Sequence, residues 1–123
     1  MDVANKKVLL VEDNEDNRTL FGVILRYYDF DVIEAADGET AVELAHSEHP
    51  DVILMDIGLP GIDGLEATNR LKRDADTADI PVVALTAFHH AEDQARAAGC
   101  ASFLTKPCPP DRVVSEVSRL LNQ

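Results

Sequence analysis

The sequence predicts an α/β fold in which a five-stranded parallel sheet is covered by helices on both faces. Five short apolar runs alternate with five segments whose apolar residues recur at helical spacing, and such an alternation is typical of a parallel sheet. Runs 1, 3 and 4 are the most apolar, so we expect those strands at the centre of the sheet. This favours a doubly wound sheet of order 2-1-3-4-5 over a closed barrel, which would need eight units.

The predicted strands are short runs with few charged residues. They comprise residues 8–11, 30–35, 52–55, 80–85 and 102–105. The runs 8–11 and 52–55 are apolar throughout, as expected for strands that are buried on both faces. Pro81 lies at the start of strand 4, where a missing backbone donor is tolerated.

Each predicted helix follows its strand and carries one apolar face. These faces are Leu20, Phe21, Ile24, Leu25 and Tyr28 in helix 1, Ala41, Val42 and Ala45 in helix 2, Leu65 and Leu71 in helix 3, Ala91, Ala95 and Ala98 in helix 4, and Val113, Val114, Val117, Leu120 and Leu121 in helix 5. We expect Asp37 to cap helix 2 and Gly99 to end helix 4. Because alanine gains little free energy on burial, helix 4 should be weakly held.

Composition and charge narrow the classes of function. The formal net charge of -12 would repel a phosphate-rich polymer, so we expect no direct binding to nucleic acid. The apolar block after Lys6 and Lys7 is too short for a signal peptide, and no apolar run approaches the length that spans a bilayer. Cys100 and Cys108 are not spaced as a zinc knuckle or redox pair, which favours a reducing compartment. We therefore expect a cytoplasmic protein without membrane insertion, folded as one domain over residues 1–123.

Polar side chains follow four of the five predicted strands. Glu12 and Asp13 follow strand 1, Asp56 follows strand 3, Thr86 follows strand 4 and Lys106 follows strand 5. Ligands of open parallel sheets bind at this edge, so we expect these side chains to lie together. Three converging carboxylates would repel one another strongly. A magnesium ion, which prefers carboxylate oxygens and water, would compensate for that repulsion.

A metal, a lysine and a hydroxyl suit a phosphoryl group, whose charge is spread over three oxygens. No Ser, Cys or His follows strand 3, so the nucleophile would be a carboxylate. Asp56, which lies between Met55 and Ile57, is the candidate acceptor. Taken singly, each of these residues is more often a helix cap, a solvated turn or an exposed side chain. The prediction rests on their joint pattern.

The chain resembles the receiver domains of two-component response regulators, in particular the single-domain, chemotaxis-regulator-like ones. The resemblance covers nearly the whole chain and is carried by the segments 8–14 (VLLVEDN), 51–56 (DVILMD), 59–64 (LPGIDG), 83–87 (VALTA) and 103–107 (FLTKP). It implies a flavodoxin-like fold and a phosphorylation-activated switch of a two-component system or phosphorelay. The surface formed by helix 4, strand 5 and helix 5 would then change to control a downstream protein partner.

The resemblance also implies the ligands of the site. Asp56 would accept the phosphoryl group from a phosphohistidine on a sensor histidine kinase or a histidine phosphotransfer protein. Asp13 would bind Mg²⁺ directly and Glu12 mostly through water. Asp56 and the backbone carbonyl of Gly58 would complete the protein ligands, and Mn²⁺ would substitute for Mg²⁺.

Further implications concern the switch. Lys106 would pair with the phosphoryl group, Thr86 would move to hydrogen-bond it, and Phe103 would rotate inward behind Thr86. The Lys106–Pro107 peptide bond would be cis. The protein would not be a classical enzyme, but it would catalyse its own magnesium-dependent phosphorylation and dephosphorylation. Neither Gly58 nor Phe88 can orient an attacking water, so we predict slow self-dephosphorylation.

The start of helix 1, with Asn17, Arg18 and Phe21, corresponds to the region that docks the kinase in this family. Core packing is the simpler role for Phe21. The resemblance leaves two contexts open: a stand-alone regulator, or a receiver from a hybrid kinase or a longer regulator.

Three other functions fit the sequence less well. A nucleotide-binding protein on a similar sheet would need a glycine-rich loop where residues 12–14 stand. An aspartyl phosphatase or phosphotransferase would usually carry a second acid at the position of Gly58. A receiver-like module that has lost its chemistry would not need to retain Glu12, Asp13, Asp56, Thr86 and Lys106.

Overall fold

The computed structural model describes residues 5–122, which form the predicted doubly wound parallel sheet. Residues 1–4 and 123 of the predicted domain lie outside the described residues. The strands are β1 (Lys7–Val11), β2 (Asp31–Ala35), β3 (Val52–Asp56), β4 (Val82–Thr86) and β5 (Ser102–Thr105). Their order in the sheet is β2-β1-β3-β4-β5, so the predicted flavodoxin-like topology is confirmed.

Strand 4 begins two residues later than the sequence suggested. The predicted start, Ile80, instead donates its backbone N–H to the carbonyl of Thr77 at 3.1 Å. Pro81 has no N–H to give to the sheet, although its carbonyl accepts a bond from the N–H of Ile53 at 2.9 Å. The regular ladder therefore starts at Val82, after the proline.

The helices are α1 (Glu15–Tyr27), α2 (Gly38–Glu48), α3 (Gly64–Arg73), α4 (Glu92–Ala98) and α5 (Pro110–Leu121), and a short 3-10 turn (His89–Ala91) precedes α4. Three of them begin at a side-chain cap, in which Asn14, Asp37 or Asp63 accepts a backbone N–H of the first turn. Each cap satisfies one of the unpaired donors at a helix start. The cap at Asp37 was predicted. No helix within residues 5–122 is both long and apolar enough to cross a membrane.

The sheet has a separate apolar core on each face. Val8 and Leu10 of β1 belong to the core under α1 and α5, whereas Leu9 and Val11 belong to the core under α2 and α3. A third cluster joins Ile57 and Ala84 to Ala91, just before α4, and to Ala95 within α4. The alternation within β1 shows why a central strand of this sheet must be apolar at every position.

The prediction that Leu20 and Tyr28 belong to the buried face of α1 was wrong. Phe21 and Leu25 are buried, but Leu20 and Tyr28 are 49% and 47% exposed. Tyr28 follows the last helical residue, so it no longer shares the helical face. Leu20 lies at the margin of that face, beside Pro107 and Cys108.

Candidate functional site

The parallel register brings the ends of four strands to one edge of the sheet. Asp56, the last residue of β3, pairs with Leu85 of β4. Glu12 extends β1 by donating its N–H to the carbonyl of Ala35 at 3.0 Å, and Lys106 extends β5 by donating its N–H to the carbonyl of Thr86 at 2.7 Å. The side chains that follow these strands are therefore held by backbone hydrogen bonds of the sheet.

Three carboxylates converge at this edge. Glu12, Asp13 and Asp56 each offer an oxygen, and these oxygens all lie within 4.8 Å of one another. Glu12 and Asp56 are buried, with 1% and 6% of their surface exposed, whereas Asp13 is exposed. A hard divalent cation that takes oxygen ligands, such as Mg²⁺, fits this donor set.

Lys106 bridges the two buried carboxylates. Its Nζ lies 2.9 Å from Oε1 of Glu12 and 3.0 Å from Oδ2 of Asp56. Burial raises the pKa of Glu12, although hydrogen bonds from Lys106 and from the N–H of Asn14 oppose that rise. Burial would lower the pKa of Lys106, but its hydrogen bonds to the two carboxylates outweigh this effect and raise the pKa. Lys106 is thus a charged donor in the site.

The loop after β3 holds the Asp56 carboxylate from the other side. The N–H of Gly58 donates to Oδ1 of Asp56 at 3.0 Å. Gly64 packs against the same residue so closely that a Cβ there would lie 2.3 Å from the carbonyl oxygen of Asp56. A residue with a side chain cannot occupy position 64 without displacing the backbone that carries Asp56.

Thr86 is buried at the end of β4, and its hydroxyl accepts the N–H of Phe88 at 3.1 Å. The two residues help to line a cleft of about 240 Å³. The same cleft is lined by Glu12, Asp13, Asp56, Gly58 and Lys106. The structure thus brings together the predicted metal, acceptor and phosphoryl-binding residues.

Phe103 lies outside this cleft. It pairs with Ala84 across β4 and β5 and is half-buried against the cluster of Ile57, Ala84, Ala91 and Ala95. It also lines a separate cavity of about 400 Å³ between β5 and α5.

The peptide bond between Lys106 and Pro107 is cis.

One contact of the site was missed from the sequence. Nη1 of Arg18 donates to the carbonyl oxygen of Glu12 at 2.9 Å. The sequence placed Arg18 only in a region of kinase docking, and no local pattern signals the contact, since it depends on how α1 lies over the end of β1. Phe21, in the same helix, is 6% exposed and belongs to the core, as its simpler interpretation predicted.

Comparison with known proteins agrees with this geometry. The protein-family model of the response regulator receiver domain matches residues 8–118 of this chain. The polar-differentiation response regulator DivK of Brucella ovis is 40% identical over 118 residues, which cover 94% of this chain and 96% of that protein.

Solved structures are similar over nearly their whole length. The receiver domain of the sensor histidine kinase PA1611 from Pseudomonas aeruginosa PAO1, solved with a magnesium ion coordinated in its active-site cleft, has a TM-score of 0.90 and 33% identity, and the match covers 98% of this chain and 100% of that chain. The chemotaxis response regulator CheY4 of Vibrio cholerae has a TM-score of 0.89 and 27% identity, with coverage of 95% and 99%. The chain therefore belongs to the response regulator receiver domain family, whose members are phosphorylation-activated signalling switches.

Proposed function

We propose that this receiver domain accepts a phosphoryl group on Asp56 in a magnesium-dependent reaction. The observation that carries the proposal is the buried Asp56 carboxylate, which faces two further carboxylates and the Nζ of Lys106 in one cleft. The donor would be a phosphohistidine on a sensor histidine kinase or on a histidine phosphotransfer protein.

The metal would be held by Asp13, Asp56 and the backbone carbonyl of Gly58, with Glu12 acting mostly through water. A bound Mg²⁺ ion supplies positive charge and open positions for phosphoryl oxygens. Mn²⁺ takes the same oxygen ligands and would substitute. Support comes from the short distances among the carboxylate oxygens and from the magnesium-bound receiver of the histidine kinase PA1611.

In the transfer, a carboxylate oxygen of Asp56 attacks phosphorus, a P–O bond forms and the P–N bond to the histidine breaks. The histidine nitrogen leaves with the bonding electrons. Lys106, already 3.0 Å from Asp56, would bind a phosphoryl oxygen and offset its charge. Attack of water on the same phosphorus would release inorganic phosphate and restore the carboxylate. The domain thus contributes catalytic groups to its own phosphorylation and dephosphorylation without being a classical enzyme.

The switch would begin at Thr86. Its hydroxyl accepts the N–H of Phe88, and drawing it toward a phosphoryl oxygen would give up that bond and pull on the chain that enters α4. Phe103 is half-buried against Ala91 and Ala95, and it would move into the space behind Thr86. The surface of α4, β5 and α5 would then present a changed shape to a downstream protein partner.

The test is phosphorylation of the purified chain by acetyl phosphate with Mg²⁺, measured as intact mass. Wild type should gain the mass of one phosphoryl group, and Asp56→Asn should gain none. Asp63→Asn is the matched control, because Asp63 caps α3 outside the cleft and asparagine caps helices equally well. Phosphorylation of Asp56→Asn, or none of wild type, would contradict the proposal.

A further inference from the structure

Arg18 connects the loop that follows β1 with the edge strand β2. Its Nη1 donates to the carbonyl oxygen of Glu12 at 2.9 Å, and its Nε lies 3.3 Å from Oε1 of Glu34. The Arg18 side chain is only 20% exposed, so these contacts are partly shielded from water. A second arginine, Arg26, binds the other oxygen of the same carboxylate, with its Nη2 2.9 Å from Oε2 of Glu34.

The contact with Glu12 acts on the backbone next to Asp13. The peptide group between Glu12 and Asp13 is planar, so fixing its carbonyl oxygen fixes the direction in which the chain leaves for Asp13. The N–H of Glu12 is already held by the carbonyl of Ala35 at 3.0 Å. With Arg18 in place, the backbone of Glu12 is therefore held at both its donor and its acceptor.

Because Arg18 is positively charged, it cannot favour cation binding by direct electrostatic attraction. A guanidinium near three carboxylates opposes the approach of Mg²⁺. Glu34 pairs with that charge and reduces its effect at the cleft. Any help that Arg18 gives to a metal must then come through the geometry of Glu12 and Asp13.

We propose that Arg18 is a positioning residue for magnesium binding, which holds the Glu12–Asp13 peptide in the orientation that the metal requires. The inference rests on the proposed function, because it assumes that the cleft binds Mg²⁺. Residues that orient metal ligands through hydrogen bonds commonly change metal affinity by an order of magnitude or more.

The experiment compares Arg18→Met with Arg26→Met by calorimetric titration of Mg²⁺. Both variants lose one positive charge and one ion pair with Glu34, but only Arg18 contacts Glu12. We expect Arg18→Met to weaken Mg²⁺ binding by roughly five- to tenfold and Arg26→Met to stay within about twofold of wild type. Loss of charge alone would tighten binding, so the sign of the change separates positioning from electrostatics.

A second readout is the magnesium concentration that half-saturates phosphorylation by acetyl phosphate. In Arg18→Met this concentration should rise, while the rate at saturating Mg²⁺ stays near that of wild type. If Arg18 had a purely structural role, Arg18→Met would instead lower the unfolding temperature and leave the half-saturating magnesium concentration unchanged. If Arg18→Met does not fold, Arg18→Lys replaces it. Arg18 uses Nη1 toward Glu12 and Nε toward Glu34, whereas the shorter lysine side chain has one terminal nitrogen in place of this rigid fork. We expect Arg18→Lys to weaken Mg²⁺ binding at least about twofold.

Unchanged or tighter Mg²⁺ binding in the folded Arg18 variant would overturn the inference. Equal weakening in Arg26→Met would also overturn it, since the attachment to Glu34 would then explain the loss. If wild type itself binds no Mg²⁺, the proposed function fails first.

Discussion

Glu116 should stabilise the α5 side of the surface formed by α4, β5 and α5, which we call the output surface because a downstream partner would bind it. The residue is 6% exposed, and its carboxylate accepts hydrogen bonds from the hydroxyl of Ser102 in β5, from Arg112 at 3.2 Å and from Arg119. The hydrogen bond from Arg119 is the main cause that lowers the pKa of Glu116 to about 2. Replacing Glu116 by glutamine keeps the shape of the side chain and removes its charge.

The magnitude follows from the pKa. A fall from the ordinary value of 4.5 to about 2 corresponds to about 3 kcal/mol of folding free energy at neutral pH. Arg112 and Arg119 are 53% and 52% exposed, so solvent screens part of this interaction. We therefore expect Glu116→Gln to lower the free energy of unfolding by about 1–2 kcal/mol at pH 7.

The pH dependence gives the sharper test. Because the folded state has the lower pKa, the contribution of Glu116 to stability is complete above the unfolded pKa of 4.5 and disappears as the pH falls through about 2. At pH 3 roughly two-fifths of it should remain. Urea unfolding of wild type and Glu116→Gln at pH 7 and at pH 3 measures this decline.

Glu92→Gln is the matched control, since Glu92 pairs with Arg96 one turn away but is 47% exposed. Its effect should stay near 0.5 kcal/mol or below, as for other exposed pairs (about 0.3–0.5). A Glu116→Gln difference that is no larger than the control, or that does not change between the two pH values, would refute this reasoning.

Two further predictions concern the phosphorylated state. Gly58→Asn should shorten the phosphoryl half-life severalfold in a dephosphorylation time course. A Cβ at position 58 fits 3.8 Å from Oδ1 of Asp56, and the amide of asparagine can orient water there. A half-life of seconds in wild type would contradict slow self-dephosphorylation. Thr86→Val, of similar size, should still be phosphorylated but should lose the change in amide exchange of α4 that wild type shows with beryllofluoride; an unaltered exchange response in this variant would rule out Thr86 as the trigger.

The fold was predictable because its signals are local and repeated. Strands buried on both faces must be apolar at every position, and this property identified β1, β3 and β4 as central. The candidate site was predictable for a topological reason. Parallel strands end at the same edge of the sheet, so Glu12, Asp56 and Lys106 converge although they are far apart in sequence.

The remaining features depend on how helices lie on the sheet, which periodicity does not encode. Leu20 is exposed because it lies at the margin of the face that α1 turns to the core. The contact of Arg18 with Glu12 requires the position of that helix over β1. Glu116 shows the same limit, because the sequence gives its spacing to Arg112 and Arg119, while its burial and its bond to Ser102 arise only in the fold.

The packing of α4 and α5 indicates which helix should respond to phosphorylation. Ile57, the neighbour of Asp56, packs in one cluster with Ala91, which precedes α4, and Ala95, which lies within it. In contrast, α5 buries valines such as Val113 and Val117. Each valine carries two more carbons than alanine, worth about 1.6 kcal/mol of burial per residue. Displacing α4 therefore costs less than displacing α5, and α4 is the helix that follows β4, which ends at Thr86. A movement that starts at the cleft should accordingly reach the output surface through α4, with α5 as the fixed side.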